Sequence, residues 1–147
     1  MTKEKEIKLN AVLNSLYECI SFKTSGRPNL QRLKTLFVDG ARLIRTDKDN
    51  ITNMSVNDFI LSYKSRIENG EIIEFSEFEI SRKVDFFGRV VQVFSTYGTD
   101  LKTPNGRIKM RGINSIQLIE VEDDWKVVTI LWYAEDSENK IPEEYLS

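Results

Sequence analysis

Residues 111–118 read Arg-Gly-Ile-Asn-Ser-Ile-Gln-Leu and residues 125–132 read Trp-Lys-Val-Val-Thr-Ile-Leu-Trp, with Glu122-Asp123-Asp124 between them. Two runs rich in β-branched and aromatic residues around a short acidic turn predict a β-hairpin. A three-residue loop at Glu122–Asp124 sets Val121 opposite Trp125 and therefore Asn114 opposite Trp132. On that side lie Asn114, Ile116, Leu118, Val128, Ile130 and Trp132, with Gly112 leaving space beside Ala134. The other side carries Arg111, Ser115, Gln117 and Thr129 among Ile113, Ile119, Val127 and Leu131. A sheet with one face under helices and one in water splits more cleanly than this. The expectation is that the first face lines an apolar pocket with Asn114 as its polar handle. The second, mixed as interfaces are, packs against a second copy of the chain.

Upstream, Ile72–Lys83 and Arg89–Thr99 have the same strand character, and the strands of the hairpin extend over Ile108–Val121 and Trp125–Ala134. Their links are Asp85–Gly88, Asp100–Arg107 and the acidic turn; short links between successive strands mean antiparallel pairing. The first half of the chain has helical spacing instead. Leu9, Val12, Leu13, Leu16, Tyr17 and Ile20 share one face of a helix predicted over residues 3–23. Pro28 is placed to open a short second helix through Leu30, Leu33 and Leu36. A brief strand follows at Ala41–Ile44, then a polar loop over Arg45–Asn53. Ser55 and Asp58 form a capping-box pattern before Phe59, Tyr63 and Ile67, and Asn69-Gly70 ends that third helix. Helices first and a meander afterwards predict an α+β fold, with three N-terminal helices packed on a curved, mainly antiparallel sheet. One domain is expected over residues 1–135, with a polar C-terminal tail at 136–147.

Composition narrows the chemistry. The 147 residues hold 40% hydrophobic and 30% charged side chains with a net charge of -2, ordinary for a globular domain. Lys and Arg are scattered, which argues against a nucleic-acid partner. The lone Cys19 cannot form an internal disulfide or a cysteine-based zinc site and reads as a buried thiol. No apolar run approaches membrane-spanning length and the charged start lacks a signal-like segment, so a cytoplasmic location is expected. There is no histidine. Glu74, Glu77 and Glu79 read as a solvated strand edge rather than a metal site. Asp47, Asp49 and Asn50 lack the glycine and distal glutamate of an EF-hand loop. Neither a metal nor a cofactor is expected.

The order helix, short helix, Phe37-Val38-Asp39-Gly40-Ala41 into a strand, helix, then strands ending at Trp132 resembles the nuclear transport factor 2-like and SnoaL-like superfamily. The resemblance covers essentially the whole chain and rests most on the F-x-D-x-A turn and the hairpin from Gly112 to Trp132. It implies a cone-shaped, cystatin-like fold, a pocket between sheet and helices, and a homodimer. The superfamily includes ketosteroid isomerase and scytalone dehydratase. The isomerase's helix-1 tyrosine, an oxyanion donor, falls about at Tyr17; its second donor falls at Asn114 or Ser115. Its basic carboxylate falls on or beside Arg45, which cannot accept a proton, and the dehydratase's histidines have no counterpart. No catalytic residue is assigned on this basis.

These readings converge on a pocket lined by Tyr17, Phe59, Tyr63, Asn114 and Trp132, taking a small, partly apolar molecule oriented by tyrosine and asparagine. Two other readings stand beside it. One is an isomerase, cyclase or hydratase using Tyr17 and Asn114 for electrostatic stabilisation; the other is a protein–protein interaction module using the sheet face.

Overall fold

The computed structural model describes residues 1–147. Helix α1 spans Lys3–Ile20; the Thr2 side chain accepts the Lys5 N–H, and Glu4 and Glu6 lie in its first turn, where acids suit the positive end of the dipole. It stops earlier than the periodicity predicts, because Ser21 turns extended and Phe22 pairs with Phe75. Helix α2 spans Leu30–Lys34 and is capped by the Asn29 side chain accepting the Arg32 N–H. Asparagine is a strong cap, so Pro28 stands outside the helix instead of opening it.

Strand β1 spans Phe37–Thr46, longer than predicted, and pairs antiparallel with β2, Ile51–Ser55, inside the stretch read as loop. β2 is an edge strand with no fully buried residue, so no apolar alternation marks it. Helix α3 spans Val56–Glu68 with the Ser55–Asp58 capping box formed in both directions, and Gly70 has φ +83° beyond its end. Strands β3 (Glu74–Phe87), β4 (Val90–Thr103), β5 (Gly106–Val121) and β6 (Asp124–Ala134) form the meander. The six strands lie in the order β2-β1-β6-β5-β4-β3, all antiparallel except β1 with β6. This is the expected α+β arrangement of three helices on a curved, mainly antiparallel sheet.

The β5–β6 hairpin reaches the predicted partner by a different route. Its turn is two residues, Glu122 and Asp123, both with positive φ, and Val121 faces Asp124. A register shift between Gln117 and Leu118 then restores Asn114 opposite Trp132 and Gly112 opposite Ala134. The bulge falls at Val128, so Trp125 and Val127, at 2% and 0% exposure, point into the core. Val127 therefore lies on the inner face, contrary to simple alternation; one extra residue reverses the faces beyond it.

The main core packs Leu9, Leu13 and Leu16 of α1 against Val91, Val93, Ile116, Leu118, Trp125 and Val127 of the sheet. A smaller cluster of Phe22, Tyr63 and Ile72 closes the other end of the helical layer. Beyond Ala134 the chain returns over the outer face: Tyr145 packs against Phe94 with ring centroids 5.5 Å apart and planes tilted by 59°, and its carbonyl accepts from Ser81 Oγ at 2.6 Å. No helix is long and apolar enough to cross a membrane.

Candidate functional site

One register row crosses the inner face of five strands: Arg82, Ser95, Asn114, Trp132 and Arg45 are successive cross-strand partners. The next row is Glu79, Tyr97, Gly112 and Ala134, and the one beyond it Glu77, Thr99 and Met110. A bulge in β3 between Glu79 and Ser81 makes this possible. Without it, residues 79 and 82 would face opposite sides; the extra residue turns both inward. Simple alternation therefore hid the site, and Glu77 and Glu79 are not the solvated edge the sequence predicts. Glu74, with a side chain 13% exposed against 17% for Glu79, is tied to other partners. It bonds the Thr24 N–H at 3.0 Å and Arg107 at 3.0 Å, and the Thr24 hydroxyl, Thr24 backbone and Arg107 bonds hold its carboxyl at about 2.

Helix α1 covers these rows and supplies Asn10, Asn14 and Tyr17 along one side. Arg82 donates to Asn10 Oδ1 at 2.7 Å, to Asn14 Oδ1 at 3.0 Å and, through Nε, to Glu79 Oε1 at 2.7 Å. Ser95 Oγ donates to Glu79 Oε2 at 2.5 Å and lies 2.6 Å from Tyr17 Oη, which accepts from Asn114 Nδ2 at 3.1 Å. Ser95 is fully buried; Tyr17 and Asn114 are 6% and 8% exposed. A continuous chain of hydrogen bonds thus joins the helix surface to the centre of the sheet.

Glu77 stands at the end of that chain. Ser21, just past α1, fixes its backbone, accepting the Glu77 N–H at 3.0 Å while its own hydroxyl donates to the Tyr17 carbonyl at 2.9 Å. The residue is partly exposed. Burial pushes the acid up to about 8, with the Asn114 amide working the other way. The negative form of Glu77 in turn raises the phenols of Tyr17, Tyr63 and Tyr97, after burial as the larger cause in each. Tyr97 is 4% exposed, not the rim residue its place near a strand end suggests. Its ring crosses Gly112, where an added Cβ would collide with the Tyr97 hydroxyl and approach Tyr133 O to 2.6 Å. Beside Glu77, the buried Thr99 Oγ1 has no hydrogen-bond partner, an arrangement that native interiors rarely tolerate.

The five residues proposed from sequence divide into two groups. Tyr17 and Asn114 bond each other, and Trp132 is Asn114's cross-strand neighbour, packed against the main core. Phe59 and Tyr63 lie together on α3 with ring centroids 5.9 Å apart. Tyr63 donates to the Ile20 carbonyl at 2.5 Å, so its hydroxyl closes the end of α1, a common use of a side chain near an unsatisfied helix terminus. Two open clefts lie elsewhere. One, of about 480 Å³, is bordered by Met1, Lys5, Phe86 and Trp125; another, of about 490 Å³, lies between α2 and α3 beside Arg27, Leu30, Lys64 and Ile67. Neither includes any of the five.

No family model matches the chain, and no curated protein matches it either. Solved structures do. A candidate dehydratase of the NTF2-like family from Streptomyces avermitilis superimposes with a TM-score of 0.73 at 11% identity, over 92% of this chain and 100% of its own. A candidate scytalone dehydratase from Novosphingobium aromaticivorans gives 0.68 at 11% identity, over 97% and 94%. A cystatin-like protein of unknown function from Nostoc punctiforme gives 0.67 at 6%, over 93% and 96%. The fold is NTF2-like. At such identities the NTF2-like likeness concerns the fold; the chemistry rests on this chain's own residues.

Proposed function

We propose that this NTF2-like protein binds a small, partly apolar molecule between α1, α3 and the inner face of β3–β5. The supporting observation is the gathering of polar groups around Glu77. The Thr99 hydroxyl has no hydrogen-bond partner within the chain, the Glu77 carboxyl has only the Asn114 amide beside it, and Tyr17 and Asn114 are held rigidly by their own bonds. A ligand with a polar group at this point would complete the bonding, and Trp132 and Phe59 would supply apolar contact. Such a site is pre-organised, because Ser95, Glu79 and Arg82 already fix the side chains that would meet the guest. The outer sheet face, with Phe78, Phe94 and Leu131 at 50%, 42% and 40% exposure, fits a homodimer contact.

Native mass spectrometry of protein purified from its own host tests this reading. Retention of a small molecule that Asn114→Leu abolishes supports it. Bare chain masses, with no member of a small-ring library retained, would end it.

Glu77 favours a second reading, in which the bound molecule also reacts. An acid near 8 can give or take a proton close to neutrality, the capacity that Arg45 lacks at the position the family resemblance implies. The candidate dehydratases among the structural neighbours are compatible with this. An activity that Glu77→Gln removes while ligand retention persists would favour reaction over binding alone.

A further inference from the structure

The hydrogen bonds leading to Tyr17 have a direction, and it follows from counting donors. Glu79 is paired with Arg82 at 2.7 Å and as a carboxylate can only accept. Ser95 lies 2.5 Å from Glu79 Oε2 and must donate there, spending its single proton. The 2.6 Å contact between Ser95 and Tyr17 then has one possible donor, the Tyr17 hydroxyl. Asn114 Nδ2 donates to the same phenol oxygen at 3.1 Å. Tyr17 therefore has no proton left for a guest and turns one remaining lone pair toward the inner site.

We propose that the Arg82–Glu79 ion pair orients the Ser95 and Tyr17 hydroxyls, so that the site selects ring compounds bearing a hydroxyl donor over those bearing only a carbonyl. This rests on the small-molecule reading above and adds the ligand class. It also removes Tyr17 from the oxyanion-donor role that the family resemblance implies, since that role needs the proton already given to Ser95. Glu79, Ser95 and Arg82 act here as positioning residues.

The geometry supplies its own reversal. In Glu79→Gln, Oε1 keeps Arg82 and the new amide N–H₂ faces Ser95 Oγ. Ser95 must then accept from the amide and donate to Tyr17, whose own proton swings toward the inner site. Ser95→Ala frees the same proton by removing its acceptor.

Calorimetric titration with cyclooctanol and cyclooctanone, matched in ring and differing in donor capacity, reads the effect. The wild-type protein binds the alcohol about tenfold more tightly, the worth of one hydrogen bond made rather than left unmade. In Glu79→Gln and in Ser95→Ala the ketone gains and that ratio falls to about one. An unchanged ratio in both folded variants overturns the orientation while leaving the binding site standing. Absence of binding by either compound to any of the three proteins overturns the site and the orientation together. Because the readout is a ratio within each variant, a general loosening of the fold does not imitate it.

Discussion

Tyr17→Phe removes the phenol oxygen that Ser95 and Asn114 share, leaving two buried polar side chains each short of a partner. Chemical denaturation should register a loss of about 1–3 kcal/mol, the cost of burying groups without their bonds. Glu77 carries the pH dependence on the alkaline side. Its acid lies at about 8 in the folded chain against an ordinary value of 4.5, so the folded state holds a proton that the unfolded state releases. The contribution of Glu77 to stability is therefore full below about 4.5 and is lost as pH rises toward about 8, by a few kcal/mol in all, while the depressed acid of Glu74 gives the opposite slope in acid. Glu77→Gln should flatten this profile in a denaturation series across pH and leave the variant more stable than wild type in mild alkali. Tyr17 and Asn114 were legible in the sequence because polar groups stood out on apolar faces. Glu77 and Glu79 were not, since a bulge changes which side chains share a face and nothing in Phe78-Glu79-Ile80-Ser81 announces one.

Among the elements, α3 was the most legible, because its start and stop signals are local: a side-chain cap, a reciprocal acid and a glycine with positive φ. β2 was the least, because its pairing with β1 is all that defines it. The β5–β6 hairpin lies between these cases. Its register at Asn114 and Trp132 could be read, but the turn is one residue shorter than expected and the bulge at Val128 compensates. Glu122 and Asp123 both occupy left-handed backbone, at φ 51° and 64°, which costs ordinary residues about 1–2 kcal/mol each. Asp123→Gly should therefore raise the denaturation midpoint, by about 1 kcal/mol of stability, without moving the Asn114–Trp132 pair. Gly112→Ala runs the other way. The added methyl meets a backbone carbonyl at 2.6 Å and the Tyr97 hydroxyl, and overpacking of this kind costs about 1–3 kcal/mol by the same measurement.

For the molecule as a whole, the two faces of the sheet differ in character. The inner face holds the polar rows under α1 and α3; the outer face exposes Phe78, Val90, Phe94 and Leu131 and receives Tyr145 from the C-terminal segment. Sedimentation analysis should find a dimer that Leu131→Asp converts to a folded monomer, a charge being costly in a desolvated interface. The α+β class was legible because periodicity changes from helical to alternating after Gly70; the cone shape came from the family resemblance. The site's chemistry was not, because it depends on which strands become neighbours and on one irregularity within β3. Backbone amide shifts of the isotope-labelled protein, titrated with small ring compounds, locate any guest in solution. Saturable shifts at Ser95, Thr99 and Asn114 are the predicted result. Shifts confined to the open clefts near Lys5 or Lys64, or no saturable shift at all, would contradict an inner binding site.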